Sequence, residues 1–337
     1  MTTDTRAART VAGTNTVSST LRLAQRVLRV EHGANVLPLG HIVCYYALLA
    51  FALTGPAIRS PLVAVPTVVL LTLLNFSLTI GVLHMHAHRP LFLDRPLNRL
   101  VDLLCCMPAT ISGPEMRMVH VVNHHRFDDG PDDVTSTLTY ERGRRALWYW
   151  VRYGTNARTY VIRQMFARGA SPSMRRRRSA FVGDVGLVLL VGIGLTAVIP
   201  QRMAVFYWLP LVLTQLNAGY FAWLTHAPAR ERDAASASIN TVDNLLNFFV
   251  FNQGYHSVHH RYPGVHWTEI PDRLAYMREV DSDLIVPYWV TLNTAWRLAA
   301  PARFRDASYG ARWKLRLERR LTTGTVRSRL VPWFAWI

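Results

Sequence analysis

The sequence predicts an all-α integral membrane protein, in which four transmembrane helices form two hairpins that carry a helical cytoplasmic cap. Three observations predict this class. Hydrophobic residues make up 50% of the 337 residues, yet the net charge is +17. Long uncharged apolar runs alternate with arginine-dense segments, which is typical of membrane proteins. Three clusters of histidine lie in the segments that follow the apolar runs, and they are predicted to lie in the cap.

The chain is predicted to have three parts. Residues 1–30 are expected to be a disordered polar tail, because small polar residues dominate its start. Residues 31–275 contain the apolar runs and the histidine clusters, and they are predicted to form the membrane domain. Residues 276–337 are predicted to be a cytoplasmic C-terminal segment. No cleavable signal is expected, since the first apolar run begins far from the first residue.

Four apolar runs are long enough to cross a bilayer, which takes roughly 20 residues as helix. The predicted spans are residues 36–53, 62–83, 181–199 and 203–224. The links "TGPAIRSP" and "PQR" are short, so each pair of spans is predicted to form a hairpin. A fifth apolar run, residues 100–111, is too short to cross, and it is predicted to be interfacial or re-entrant.

The distribution of arginine predicts the orientation of these spans. Arginines are frequent before the first span and between the second and third, whereas the two hairpin links carry only Arg59 and Arg202. Because positive loops face the cytoplasm, both termini and the histidine clusters should be cytoplasmic. Aromatic residues and arginines interleave over residues 144–168, which favours an amphipathic helix at the lipid headgroups. No nucleic-acid partner is expected.

The histidines form a pattern. "HMHAH" follows the second run, "HVVNHH" lies in the middle segment, and "NQGYHSVHH" comes after the fourth run, while one more histidine stands alone in "WLTHAP". The simplest interpretation is a solvated polar patch without a specific function. The alternative is a metal site whose candidate ligands are His84, His88, His120, His124, His125, His226, His256, His259 and His260.

Spacing decides which imidazoles can meet on a helix. Residues three or four apart share a face, so His84 and His88 can aim at one point, and so can the three histidines of "HSVHH". In "HVVNHH", His120 and His124 share a face, whereas His125 is turned by roughly 100° in a regular helix. His125 could therefore serve a second metal, or the helix could be irregular there.

The ligand type narrows the metal. Imidazole suits zinc, copper, iron and nickel, and structural zinc sites take four ligands and favour cysteine. The three cysteines show no ligand spacing, whereas up to nine histidines are available. That number indicates two metals with open positions, which points to redox iron and O₂ chemistry. A histidine-rich metal store or transporter is the alternative; it would predict ionisable residues inside the spans, and few are there.

The three clusters on four spans resemble the histidine boxes of the membrane fatty acid desaturase superfamily, which includes hydroxylases, acetylenases and ketolases. The resemblance extends from the first span to Pro271 and includes "NQGYHSVHHRYPGVHW". It implies two non-haem iron ions bound by the nine histidines. Some relatives place an asparagine one turn before the lone histidine, but Ala222 stands at that position, and Asn217 or Asn252 could substitute.

The resemblance implies a reaction in which O₂ and two electrons insert a double bond into a fatty acyl chain on a lipid, coenzyme A or acyl carrier protein. A hydroxylase, acetylenase or ketolase acting on an acyl chain, a carotenoid or another apolar chain is the alternative. The sequence has no haem-attachment motif, ferredoxin cysteine set or dinucleotide fingerprint. An external donor such as a ferredoxin, a rubredoxin or a cytochrome b5-type protein is therefore expected.

Several polar residues near the boxes are candidate outer partners of the ligands, because a metal-bound imidazole usually donates its other N–H to an acceptor. The segment "RFDDGPDD" offers four carboxylates, of which one is expected to take this role, although a solvated turn would also explain it. His266 in "GVHW" could orient a ligand. The candidates are Asp128, Asp129, Asp132, Asp133, Asn252 and His266.

Overall fold

The computed structural model describes residues 19–137, 146–226, 235, 237–242, 244–287 and 309–323, and these residues are mostly helical. Helix α1 (Ser19–Leu28) falls within the predicted polar tail, so the expectation of disorder is wrong for that stretch, while residues 1–18 lie outside the described residues. The segment after α1 is held by tertiary contacts that composition does not reveal. Arg29 pairs with Asp94, and Glu31 pairs with Arg89.

Among the described residues, three helices are long and apolar enough to cross a membrane: Gly33–Thr54, Pro61–His88 and Pro172–Val198. They coincide with the first three predicted spans. The first comprises a 3₁₀ turn (Gly33–Asn35) and α2 (Val36–Thr54), and the 3₁₀ turn Ala57–Arg59 follows it. The second comprises α3 (Pro61–Phe76), a π-helical turn (Ser77–Leu83) and α4 (His84–His88). The third is α9, whose large apolar side chains are largely exposed, as lipid contact requires.

The fourth predicted span is helical throughout, but it is not among the three most apolar helices. It comprises α10 (Pro200–Met203), a π-helical turn (Ala204–Trp208) and α11 (Leu209–His226). Gln215 and Asn217 lower its apolar character. It packs against α3, where Thr214 Oγ1 donates to the Thr72 carbonyl at 3.2 Å. Four spans in two hairpins therefore stay a prediction.

Helix α5 (Arg95–Ala109) contains the short fifth run. Pro108 lacks an N–H, so the Leu104 carbonyl has no donor within the helix, and Tyr46 on α2 donates to it at 2.6 Å. A helix also ends with four unpaired carbonyls, and all four find donors here. The bonds are Thr110 N to Cys106 (2.7 Å), Tyr207 to Met107 (2.7 Å), Asn75 to Pro108 (3.0 Å) and Gln215 to Ala109 (2.6 Å).

Three of these donors lie on the second and fourth apolar runs, so the carboxyl end of α5 is held between long apolar helices. This packing favours the re-entrant interpretation of the fifth run over the interfacial one. The chain then turns at Thr110, which has a left-handed φ of 53°, and enters α6 (Gly113–Met116). Ser112 and Glu115 close a capping box at the start of α6.

The remaining elements connect and follow these apolar helices. A π-helical segment (Arg117–His124) leads into α7 (His125–Phe127), and α8 (Ala146–Met165) precedes α9 (Pro172–Val198). A two-stranded parallel sheet pairs β1 (Asn240–Thr241) with β2 (Ile285–Val286). The other elements are α12 (Asn244–Phe249), α13 (His256–Arg261), the 3₁₀ helices Trp267–Arg278 and Ser282–Leu284, and α14 (Tyr309–Thr323). The largest apolar core joins α2, α3 and α5 to the described elements that follow residue 240.

Candidate metal centre

The nine histidines nominated from the sequence meet in two buried groups. Within each group, one potential ligand atom from every histidine lies within 4.8 Å of those of the others. We call these groups site one and site two. Site one contains His84, His88, His120, His125 and His259, and site two contains His124, His226, His256 and His260.

The second box is divided between the sites by its helix geometry. His120 and His125 belong to site one, whereas His124 belongs to site two. A π-helix bonds residue i to residue i+5 and therefore brings residues five apart onto one face. The segment Arg117–His124 is π-helical, so His120 and His125 meet and His124 turns away. The pairing of His120 with His124 that a regular α-helix predicts is not observed, and of the two alternatives left open for His125 the irregular helix is the one present.

The third box is divided as well. His256 and His260 are four residues apart on α13, and both join site two. His259 lies on another side of the helix and joins site one, so the expectation that all three imidazoles aim at one point is wrong. The helix α13 therefore separates the two sites and contributes to both. His226 completes site two from the end of α11.

The spacing of the imidazole nitrogens suits a shared cation. In site one, His259 Nε2 lies 3.0 Å from His84 Nε2 and 3.0 Å from His125 Nε2, which lies 3.0 Å from His120 Nε2. One Nε2–H can donate to only one neighbour, so hydrogen bonding cannot satisfy the whole set. Two nitrogens bound at right angles to one metal ion, each at about 2.1 Å, lie about 3.0 Å apart.

Two further observations support this fit. In site two, His256 Nε2 lies 3.1 Å from His226 Nε2 and 3.0 Å from His260 Nε2. In site one, His88 Nε2 is buried and has no hydrogen-bond partner among the described residues. A buried polar atom without a partner is costly, and a metal ion would supply the partner. The residues present therefore fit a metal ion at each site.

Carboxylates support the imidazoles of site two. Asp133 Oδ2 accepts from His124 Nδ1 at 2.6 Å, and Asp128 Oδ1 lies 2.8 Å from His260 Nδ1. One carboxylate was expected in this role, and the structure places two there. The Asp129 carboxylate instead accepts hydrogen bonds from the backbone N–H and the hydroxyl of Thr137. The Asp132 side chain is exposed. In site one, the Ile80 carbonyl lies 3.1 Å from His84 Nδ1.

The surroundings keep His120, His125, His259 and His260 neutral, as metal ligands must be. Burial, followed by the neighbouring histidines, lowers the pKa of His120, His259 and His260 well below the usual range. The same causes lower the pKa of His125 to about 2. Burial raises the pKa of Asp133, but hydrogen bonds from His124 and Thr135 outweigh it and lower that pKa to about 2. Asp133 therefore stays an anion beside site two.

The other two nominated residues have different partners. His266 Nε2 lies 2.9 Å from Asn35 Oδ1, its Nδ1 lies 2.7 Å from Thr268 Oγ1, and it caps the helix Trp267–Arg278. Both ring nitrogens are thus used away from the nine histidines. Asn252 donates from Nδ2 to the Trp267 carbonyl at 2.9 Å, and its backbone is left-handed. These contacts give both residues a role in the turn beside α13.

A cavity of about 630 Å³ adjoins both sites. Five of the nine histidines line it: His84, His120, His124, His226 and His256. Most of its wall is apolar, with Ile80, Val119 and Phe221 near the histidines. The sequence predicted an apolar chain as the substrate but did not identify the residues that line a cavity for it. These residues come from α6, α8 and α11, from the π-helical segments and from the turns between helices, which only the tertiary fold brings together.

These features define a class of protein: apolar helices that carry two buried histidine clusters, each able to hold a metal ion, beside an apolar cavity. The family model for fatty acid desaturases matches residues 59–292. The chain belongs to the fatty acid desaturase family, as its histidine boxes predicted, and this membership implies an oxidoreductase in a lipid environment. No curated protein matches the chain.

Proposed function

We propose that this protein is a membrane-bound, O₂-dependent fatty acyl desaturase that uses two non-haem iron ions, one at each histidine site. The observation that carries the proposal is the pair of histidine sites that adjoins a mostly apolar cavity. Iron bound there would supply the redox chemistry that activates O₂ for removal of hydrogen from an unactivated C–H bond. Family membership supports an acyl substrate and an oxidoreductase reaction.

The chain's own residues have three tasks in this reaction. The nine imidazoles bind the metals in their neutral form, and Asp128 and Asp133 orient two of them through Nδ1. The apolar wall around Ile80, Val119 and Phe221 excludes water and holds the acyl chain so that one carbon lies near the sites. Two electrons and two protons from outside, together with two hydrogens from the chain, reduce O₂ to two waters.

The electron donor is proposed to be a separate, acidic redox protein. The start of α9 exposes a run of arginines at residues 175–177, and the chain carries a net charge of +17. Such a surface would speed the encounter with a negatively charged donor. This arrangement requires cytoplasmic termini and outward-facing links between the spans of each hairpin.

Metal content and product together test the proposal. Protein purified from iron-replete cells should hold close to two irons per chain, and lipid profiles of cells with and without it should differ by an added double bond. One zinc per chain, with no iron in any active sample, would contradict the di-iron assignment. An added hydroxyl or keto group in place of the double bond would identify the alternative reaction.

Topology has a separate test. In a background where Cys44 is replaced by alanine, cysteines placed at Ser60 and Gln201 should react with a membrane-impermeant maleimide from outside, whereas one at Thr323 should not. Cys105 and Cys106 are buried and can remain. The reverse labelling pattern would separate the histidines from a cytoplasmic donor.

A further inference from the structure

The end of the cavity away from site two is polar, which an acyl chain alone does not require. Arg158, Glu115 and Thr110 line this end, together with Gln215. Arg158 Nε donates to Glu115 Oε1 at 2.9 Å and its Nη2 donates to Glu115 Oε2 at 3.1 Å. The same Nη2 donates to the Thr110 carbonyl, so the guanidinium also closes the turn after α5.

Two helices, α11 and α8, give estimates of the distance between this polar end and site two. On α11, Gln215 lies eleven residues before His226, which is about 16 Å along an α-helix. On α8, Arg158 lies nine residues after Tyr149, or about 14 Å. Tyr149 donates to the Thr135 carbonyl, and the Thr135 hydroxyl approaches His124. The two estimates agree, so Arg158 lies well away from site two; it lies nearer to site one, because its partner Glu115 comes five residues before His120 on the helix that carries the second box.

The polar end is also the open end. The Arg158 side chain is 37% exposed, and neighbouring cavity residues on α8, Thr155 and Ile162, are exposed as well. The histidines His226 and His256 at the other end are only 5% and 7% exposed. A substrate that enters here would leave its polar group beside Arg158 and extend its apolar part towards the histidines.

Arg158 retains unused donors. Its Nε and Nη2 are bonded to Glu115 and Thr110, while Nη1, which carries two N–H groups, has no protein acceptor among the described residues. The Glu115 carboxylate, in contrast, has no N–H or O–H group with which to donate a hydrogen bond to a ligand in the cavity. It is buried, both of its oxygens accept from Arg158, and one of them also accepts from the Ser112 backbone N–H.

We propose that Arg158 binds the neutral carbonyl oxygen of an esterified acyl chain at the mouth of the cavity, and that this contact sets the distance from carbonyl to oxidised carbon. The inference rests on the proposed function and its esterified acyl substrate, and it assigns the residue that positions the carbonyl of that substrate. Because Glu115 already neutralises the guanidinium, a carboxylate there would face a second, buried carboxylate without a matching charge.

Binding can test this proposal without oxidation. The full-length, iron-loaded protein is mixed with methyl hexadecanoate, hexadecanoate or hexadecane, which present a neutral carbonyl, a carboxylate or no oxygen. Affinities are obtained from the ligand-induced rise of the thermal unfolding midpoint. We expect the ester to bind at least about 10-fold more tightly than the other two ligands, since hydrogen bonds to charged donors are among the stronger ones.

The variant of choice is the double substitution R158Q/E115Q. Replacing Arg158 alone would leave a buried carboxylate unpaired and could unfold the protein, whereas glutamine at residue 115 can still complete the capping box. The matched control is R163Q, which removes an exposed arginine from the same helix. The double variant should bind all three ligands alike, and R163Q should keep the preference for the ester.

Equal binding of the ester by R158Q/E115Q and wild type, or equal binding of all three ligands by wild type, would overturn the carbonyl site. An oxidation assay separates this result from failure of the proposed function. If wild type oxidises acyl chains but the double variant keeps the ester preference, only the carbonyl site is wrong. If the ester preference depends on Arg158 but no chain is oxidised, the carbonyl site stands and the proposed function is wrong.

Discussion

Site one and site two differ more in the groups that contact their imidazoles from outside than in the imidazoles themselves. Site one has five imidazoles, and the one outer contact described for a ring nitrogen is the Ile80 carbonyl beside His84. Site two has four imidazoles, and two of them face the carboxylates Asp128 and Asp133. A carboxylate behind a ligating imidazole raises its basicity and fixes its orientation. Site two therefore compensates for one ligand fewer with negative charge in its surroundings.

This difference predicts that metal ions bound at the two sites would not be equivalent. Loss of an imidazole from either site opens one coordination position, but only site two can also be weakened through its carboxylates. Substitution of these carboxylates should therefore change metal affinity at site two without changing it at site one.

The largest effect is expected from the ligands themselves. H259A in site one and H256A in site two should each abolish oxidation and reduce iron from about two per chain to about one. Membrane insertion should persist, because the apolar helices do not depend on either imidazole. Iron analysis and product assay provide the measurement. Two irons and full product formation in H259A would mean that His259 is not a metal ligand.

A smaller effect is expected from the carboxylates, and only at site two. D133N should weaken metal binding there by about 10- to 100-fold, the usual cost of losing an outer partner. D128N should do less, because the Asp128 side chain is 40% exposed whereas that of Asp133 is fully buried. Metal titration measures both. D132N is the control, since its side chain is exposed; a loss as large as that of D133N would remove the distinction between the sites.

The metal-free protein should lose stability as the pH falls below about 6.5, the ordinary histidine value. Burial lowers the pKa of His120, His256 and His259, so the unfolded chain takes up more protons there than the folded one. The stability present above that pH is therefore lost on acidification, at up to about 1.4 kcal/mol per pH unit for each such histidine. Thermal unfolding of chelator-treated protein measures this; a flat profile would show that the imidazoles are not buried.

The smallest effect on the chemistry is expected from His266. Its nitrogens face Asn35 and Thr268, so H266A should leave iron content at both sites unchanged and reduce activity by less than about 10-fold, below the range for an outer partner. The unfolding midpoint should fall, since a helix cap and a buried hydrogen bond are lost. Loss of iron from site one alone would instead make His266 a partner of that site.

The sequence by itself determined the family, the nine clustered histidines and the three most apolar helices, because these follow from local spacing and composition. Regular 3.6-residue winding accounts for His84 with His88 and for His256 with His260. The predicted spans are also helical, although the third helix begins nine residues before the predicted span, at Pro172, where the Ser171 side chain caps it.

Only the tertiary structure decided how the histidines divide and where the cavity lies. The π-helical winding of Arg117–His124 exchanges the partners of His124 and His125, and it cannot be derived from an α-helical projection. Glu115 and Arg158 are 43 residues apart and meet only because α8 packs beside the turn after α5. Spacing along one helix fixes which side chains share a face, whereas contacts between distant segments depend on how the whole chain packs.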